Sequence, residues 1–255
     1  MNANHPIKFD EIILDNQVTV YAVNIENLDD AFKKFIDENL VNICKGKRDI
    51  KIESVKIEFL KFLNSKIGST LFTGSVSEFF IHLFLGTQGF KQEFLYFNLE
   101  ENSIKKGFDG YYSKNNVDWI LESKSTTVVT QKHKSIISIA YTGLKDKIEG
   151  KDNKNNPWEE AYNHARHGDV NTEDTLVKKL TALSELYTES KYGKIEEFNI
   201  MTSSTIFLEQ DWKNIDVKEL SADIKNYLKD KKFNSIILIC LNKKSLHQLL
   251  KYLKQ

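Results

Sequence analysis

The sequence contains little of what builds disulfide frameworks or flexible tethers. Its 255 residues include only 2 cysteines, 2 prolines and 11 glycines. Cys44 and Cys240 lie far apart and form no C-x-x-C pair, which argues against a disulfide framework or a zinc knuckle. No long stretch has the glycine- or proline-rich composition of a linker. We therefore expect reduced thiols, as in the cytosol, and no long tether between domains.

The sequence also lacks an excess of either charge. Lysine and arginine together number 36, as do aspartate and glutamate, so the formal net charge is zero. A protein that binds nucleic acid unaided usually carries a basic excess. Any function on nucleic acid therefore has to account for this neutral balance.

Long apolar runs and nucleotide-binding loops are absent as well. The longest aliphatic or sulfur-containing run is IILICL, residues 236–241, which is far too short to span a bilayer. The N-terminal stretch MNANHPIKFDE has no apolar segment, so no signal peptide is evident. Neither a Walker A loop nor a G-x-G-x-x-G motif occurs, and nucleotide hydrolysis would have to come from a partner. These features predict a cytoplasmic protein that makes no membrane contact.

Strand and helix patterns alternate along the C-terminal third, whereas the earlier segments contain hairpins. The predicted strands and hairpins cover residues 9–24, 93–102, 107–125, 198–208 and 234–241. The predicted helices cover residues 27–44, 51–68, 74–90, 135–150, 158–167, 172–190, 216–230 and 243–254. This mixture predicts an α/β fold with a mixed central sheet flanked by helices.

The predicted elements divide into two parts. Residues 1–66 form a hairpin and helices, which we interpret as an extension or a partner-docking region. Residues 67–255 form the core of the protein.

The hairpin GFDGYYSKNNVDWILESKS, residues 107–125, carries three charged residues where ordinary strand residues would suffice. A tight turn at residues 115–116 sets the register, and counting pairs outward places Asp109 opposite Glu122. Directly opposed residues share a face, and Lys124 lies two positions further along that same face. The pattern therefore gathers two carboxylates and one ammonium on one side of the hairpin.

Two opposed carboxylates repel, and a divalent cation would offset the repulsion. Mg²⁺ is typically held by one or two carboxylates, waters and phosphate oxygens, and a nearby lysine can orient water or hold a phosphate. This is the chemistry of phosphodiester hydrolysis. A solvated surface hairpin is the alternative, because E-x-K occurs often by chance. The apolar residues before Glu122 and the glycines at 107 and 110 favour the metal site.

The residues GFDG…WILESK resemble the Asp…Glu-x-Lys signature of the PD-(D/E)xK nuclease superfamily, whose fold is that of restriction endonucleases. The run KGFDG, the strand ending in ESK and the preceding buried helix with a Gly…Glu element resemble more narrowly the nuclease subunit family HamA of Hachiman anti-phage defence. The resemblance is best over about residues 70–150. It implies that Asp109 and Glu122 bind Mg²⁺, with Mn²⁺ a possible substitute, and that Lys124 assists hydrolysis. The helical acid of the superfamily would fall on Glu78, where Ser77 departs from the family pattern.

The same resemblance implies a two-gene defence system. In such a system a superfamily 2 helicase partner holds the nuclease, which is released or activated when infection produces abnormal DNA. A nuclease docked on a helicase need not carry its own DNA-binding charge, which agrees with the neutral balance. Two alternatives stay open. One is a stand-alone restriction-type endonuclease, and the other is a catalytically silent module of this fold that binds only nucleic acid or a partner.

A short basic run follows the hairpin. Lys132, His133 and Lys134 precede the helix predicted from residue 135 and favour an exposed basic turn. Contact with a phosphate is the alternative interpretation of this run.

Overall fold

The structure is a computed structural model and describes residues 6–96, 107–152, 155–166 and 172–255. Within these residues the strands are β1 (Lys8–Asp15), β2 (Val18–Ile25), β3 (Lys91–Gln92), β4 (Gly110–Lys114), β5 (Val117–Thr126), β6 (Asn199–Phe207) and β7 (Ser235–Lys243). The α-helices are α1 (Asp30–Lys45), α2 (Ile52–Asn64), α3 (Thr70–Thr87), α4 (His133–Ile148), α5 (Pro157–Ala165), α6 (Asp174–Thr188), α7 (Val217–Leu228) and α8 (Gln248–Leu253).

The strands form one mixed sheet in the order β1-β2-β7-β6-β5-β4-β3. The four neighbouring strands β2, β7, β6 and β5 run parallel, whereas β1, β4 and β3 pair antiparallel with their neighbours. Parallel strands are covered on both faces and therefore have long apolar runs, as in SIILICLNK of β7. The predicted α/β fold, with a mixed central sheet flanked by helices, is confirmed.

Helices cover both faces of the sheet and enclose a large apolar core on each face. The core under α1, α2, α3 and α8 contains Phe59 and Leu121, and the core under α4 to α7 contains Ile120 and Trp158. Leu121 and Ile120 are adjacent on β5, and they enter opposite cores because strand side chains alternate between faces. Both cysteines are buried free thiols. Cys44 lies in the core under α1, α2, α3 and α8, and Cys240 lies in the core under α4 to α7.

The N-terminal segment contributes to the same sheet as the rest of the chain. β2 runs beside β7 from Val18, opposite Ile236, to Ile25, opposite Lys243. α1 and α2 pack against α3, and α2 also contacts α8. The division at residue 66 stays a prediction, but the residues on either side of it share one sheet and one core.

The strand predicted over residues 93–102 is wrong for residues 93–96, which lie outside any strand, because the nearest strand, Lys91–Gln92, ends directly before them. Beyond it, aromatic side chains leave the sheet edge and enter the two cores. Phe94 packs beside Tyr111 with ring centroids 5.6 Å apart, and the Tyr96 hydroxyl donates to the Ser75 carbonyl at 2.6 Å. These contacts with distant residues end the strand early. Residues 97–102 of the prediction lie outside the described residues.

Candidate active site

The hairpin of β4 and β5 carries the predicted acidic residues. Asn115–Asn116 adopt positive φ angles of 51° and 60°, as a two-residue type I′ turn requires. The pairing runs from Lys114 with Val117 outward to Gly110 with Leu121. The predicted turn and register are therefore confirmed along the whole length of β4.

Asp109 lies one residue beyond the last pair of this ladder. Its backbone N–H donates to the Leu121 carbonyl at 3.1 Å, and its Oδ2 accepts from the Ser123 backbone N–H at 2.7 Å. The expected direct opposition of Asp109 and Glu122 is therefore wrong. The regular pairing ends at Gly110, and the Asp109 amide bonds to Leu121, the residue before Glu122. The two carboxylates still interact, since burial raises the pKa of Glu122 and the Asp109 charge raises it further.

Glu122 is the most buried member of the site, with 2% of its surface exposed. Its Oε1 accepts from Lys124 Nζ at 2.7 Å, which confirms the predicted placement of these two residues on one face. Its Oε2 accepts from Lys147 Nζ at 2.6 Å. Burial and the Asp109 carboxylate raise the pKa of Glu122, whereas the two lysines lower it, and the net shift is upward.

Lys147 was missed by the sequence analysis. It lies on α4, one turn after Gly143, so the two residues share a helix face. A Cβ atom on Gly143 would lie 3.5 Å from Glu122 Oε1, and Lys147 Nζ also donates to the Gly107 carbonyl at 2.8 Å. The sequence signal was a glycine and a lysine four residues apart on a helix that follows the acidic strand. It is weak, because lysine is frequent throughout this chain.

Lys124 joins the remaining predicted residue, Glu78, to the site. Burial lowers the pKa of Lys124, but Glu122, Asp109 and Glu78 raise it, and the net shift is upward. Glu78 is half-buried on α3, and it adds to the effect of burial in raising the pKa of Tyr112. All four residues singled out by the motif therefore interact electrostatically around the Lys124 ammonium.

A scan against protein-family models and a search of the curated proteins found no match for this chain. The resemblance to PD-(D/E)xK nucleases thus rests on the residues quoted above and on their arrangement. Within the described ranges, the structure contains no helix with the length and apolar character needed to cross a membrane.

The donor set at Asp109 and Glu122 fits a hydrated Mg²⁺ ion better than a metal held wholly by protein. Among the described residues, no group of three or more histidine, cysteine, aspartate or glutamate side chains could hold a metal. Mg²⁺ needs only one or two carboxylates, because it keeps several of its waters. Burial and, after it, the charge of Asp109 raise the pKa of Glu122, and a cation shared by the two carboxylates would relieve the second of these effects.

A buried hydroxyl beside Glu122 adds to this fit. Thr202 on β6 pairs with Glu122 across the parallel strands, so both side chains point to the α4 face. Thr202 is fully buried, and its Oγ1 has no hydrogen-bond partner among the described residues. A buried polar atom without a partner calls for a physical explanation, such as a bound water or ion. The neighbourhood of Glu122 therefore has polar capacity beyond that used by its lysine contacts.

Proposed function

We propose that this chain is a Mg²⁺-dependent deoxyribonuclease with a restriction-endonuclease-like core. In this proposal it is the effector subunit of a two-gene anti-phage system of the Hachiman type and acts in the cytoplasm. One observation carries the proposal: Lys124 bonds to Glu122 at 2.7 Å and is influenced electrostatically by Asp109 and Glu78. These are the residues that the nuclease motif requires, and they come from strand β5, from the residue directly before β4 and from helix α3.

Each residue has a role in this proposal. Asp109 and Glu122 would hold the metal through carboxylate oxygens, and Glu78 would complete the acidic side of the site. A bound Mg²⁺ would polarise the phosphodiester and lower the pKa of a coordinated water. Lys124 would orient the attacking water by donating a hydrogen bond, and its charge would stabilise the negative charge that develops on the phosphate.

The proposed partners are DNA and a superfamily 2 helicase. The net charge of zero supports a nuclease that depends on a partner for DNA affinity, because phosphate contacts by lysine and arginine supply most non-specific binding. We therefore expect the isolated chain to bind duplex DNA weakly at moderate salt. Tight DNA binding by the chain alone would count against a helicase-held effector.

The decisive experiment measures plasmid degradation by the chain with its helicase partner, with and without Mg²⁺. We expect cleavage to require Mg²⁺ and to fall about 100-fold or more in Lys124→Ala, the range for removing a group that assists proton transfer or charge stabilisation. Lys225→Ala, which removes an exposed lysine of α7, is the matched control and should retain activity. Unchanged cleavage by Lys124→Ala would show that the site is wrongly assigned.

The same assay separates the alternative functions. A catalytically silent module would leave the plasmid intact under every condition while still binding its partner or nucleic acid. A restriction-type enzyme would cut without the helicase, and sequencing would place its cut ends at one recurring sequence. Cleavage at unrelated sequences that depends on the helicase supports the proposed effector.

A further inference from the structure

Lys147 makes two contacts that the nuclease motif does not account for. Its Nζ lies 2.6 Å from Glu122 Oε2 and 2.8 Å from the Gly107 carbonyl. Its side chain is 18% exposed, so water screens these contacts little. The ammonium therefore joins the segment that leads into Asp109 to the strand that carries Glu122.

Lys147 completes a set in which both oxygens of Glu122 accept hydrogen bonds from ammonium groups. Lys124 uses Oε1 and Lys147 uses Oε2. A divalent cation that approaches either oxygen meets a positive charge already in contact with the same carboxylate. Repulsion between such charges is strong where little water screens them. One ammonium therefore has to move away from Glu122 before this carboxylate can bind a cation tightly.

We propose that Lys147 competes with the divalent cation for Glu122 and serves as the counter-ion of the Glu122 carboxylate until the cation binds. This inference rests on the proposed metal-dependent function. Lys147 is the ammonium suited to withdraw, because the Gly107 carbonyl remains as a second acceptor when Oε2 is given up. Lys124 belongs to the hydrolytic motif, whereas Lys147 sets how readily the site takes up its metal.

A titration of the 255-residue chain with Mn²⁺ tests this inference without measuring cleavage. Binding is measured as the loss of the free-ion signal in electron paramagnetic resonance. Lys147→Met removes the charge and keeps most of the side-chain volume, and we expect it to bind Mn²⁺ about tenfold more tightly than wild type. Lys147→Arg keeps the charge and should stay within about twofold of wild type.

Lys145→Met is the matched control for loss of charge alone. Lys145 lies on the same helix and pairs with Glu149 at 3.9 Å instead of with Glu122. We expect its Mn²⁺ affinity to stay within about twofold of wild type, since exposed charges at a distance are screened. Equal tightening in Lys145→Met and Lys147→Met would overturn the inference, because the effect would then be one of overall charge.

Three further outcomes are informative. Unchanged or weaker Mn²⁺ binding by Lys147→Met, alongside normal binding by wild type, overturns the inference and leaves the proposed function standing. Failure of wild type and all variants to bind Mn²⁺ overturns both. Should circular dichroism show that Lys147→Met does not fold, Lys147→Gln replaces it, with the same tightening expected and the same results contradicting it.

Discussion

His133 shows how burial sets the protonation state of a single side chain. Only 8% of its surface is exposed, so the expected exposed basic turn is wrong for this residue. Its Nε2 lies 3.0 Å from Asn242 Oδ1, which only accepts, so Nε2 carries the proton. Its Nδ1 is 2.8 Å from Ser204 Oγ and accepts from that hydroxyl. Neutral imidazole satisfies both contacts, and burial lowers the pKa of His133 to about 4.

This lowered pKa predicts a loss of stability in mild acid. An unfolded histidine titrates near pH 6.5, so between about pH 6.5 and 4 the unfolded chain binds more protons than the folded chain. The stability that neutral His133 contributes is present above that window and is lost as the pH falls through it. The total loss in the free energy of unfolding is roughly 3 kcal/mol once the pH is below 4. Urea unfolding of wild type and His133→Gln at pH 7 and pH 4.5 measures this loss.

We expect His133→Gln to be less stable than wild type at pH 7 and to lose less stability on acidification. His247→Gln, which changes an exposed histidine, is the control and should follow the wild-type pH dependence. Parallel curves for wild type and His133→Gln would show that the imidazole of His133 does not govern this part of the acid response.

At the scale of elements, local patterns predicted the hairpin but not its surroundings. The register of β4 and β5 was predictable because a two-residue turn determines which residues pair. The contact between Lys147 and Glu122 depends on how α4 crosses β5, which no local pattern encodes. His133 was misplaced because α4 begins two residues before the predicted start, and its first turn faces strands formed some 70 or more residues later.

Two glycines, one inside helix α3 and one in the segment before β4, provide a matched pair of substitutions. Gly74 lies inside α3, and a Cβ atom added there meets nothing within 4 Å. We expect Gly74→Ala to stabilise the protein by about 0.5–1 kcal/mol, because alanine loses less conformational entropy in a helix. A Cβ atom on Gly107 would lie 2.9 Å from Glu160 Cβ and 3.2 Å from the Pro157 carbonyl oxygen.

Gly107→Ala should therefore destabilise the protein by about 1–3 kcal/mol, the usual cost of overpacking. It would push α5 away from the segment that leads into Asp109. Chemical denaturation of both variants and wild type gives the comparison. The close approach at Gly107 indicates that the segment before Asp109 is held against α5. Equal stability of the two variants would contradict this.

At the scale of the whole molecule, the N-terminal elements complete the sheet. β2 covers the edge of β7 along its length, and α1 and α2 place Phe32 and Phe59 against α3, with Phe59 and Phe79 ring centroids 5.1 Å apart. Without residues 1–66, the interior strand β7 becomes an exposed edge and one core loses two of its helices. Exposed apolar edge strands promote aggregation. We expect the fragment 67–255 alone to aggregate or to unfold without a cooperative transition.

Adding residues 1–66 as a separate polypeptide is the control for that truncation. If the loss comes from the uncovered edge and core, co-expression of the two fragments should restore a soluble complex with a sharp thermal transition, because β2 can pair with β7 without a covalent connection. A fragment 67–255 that unfolds cooperatively by itself would instead support a domain boundary at residue 66. In that case the N-terminal elements would be available to bind a partner. The fragment 67–255 should then be tested for helicase binding.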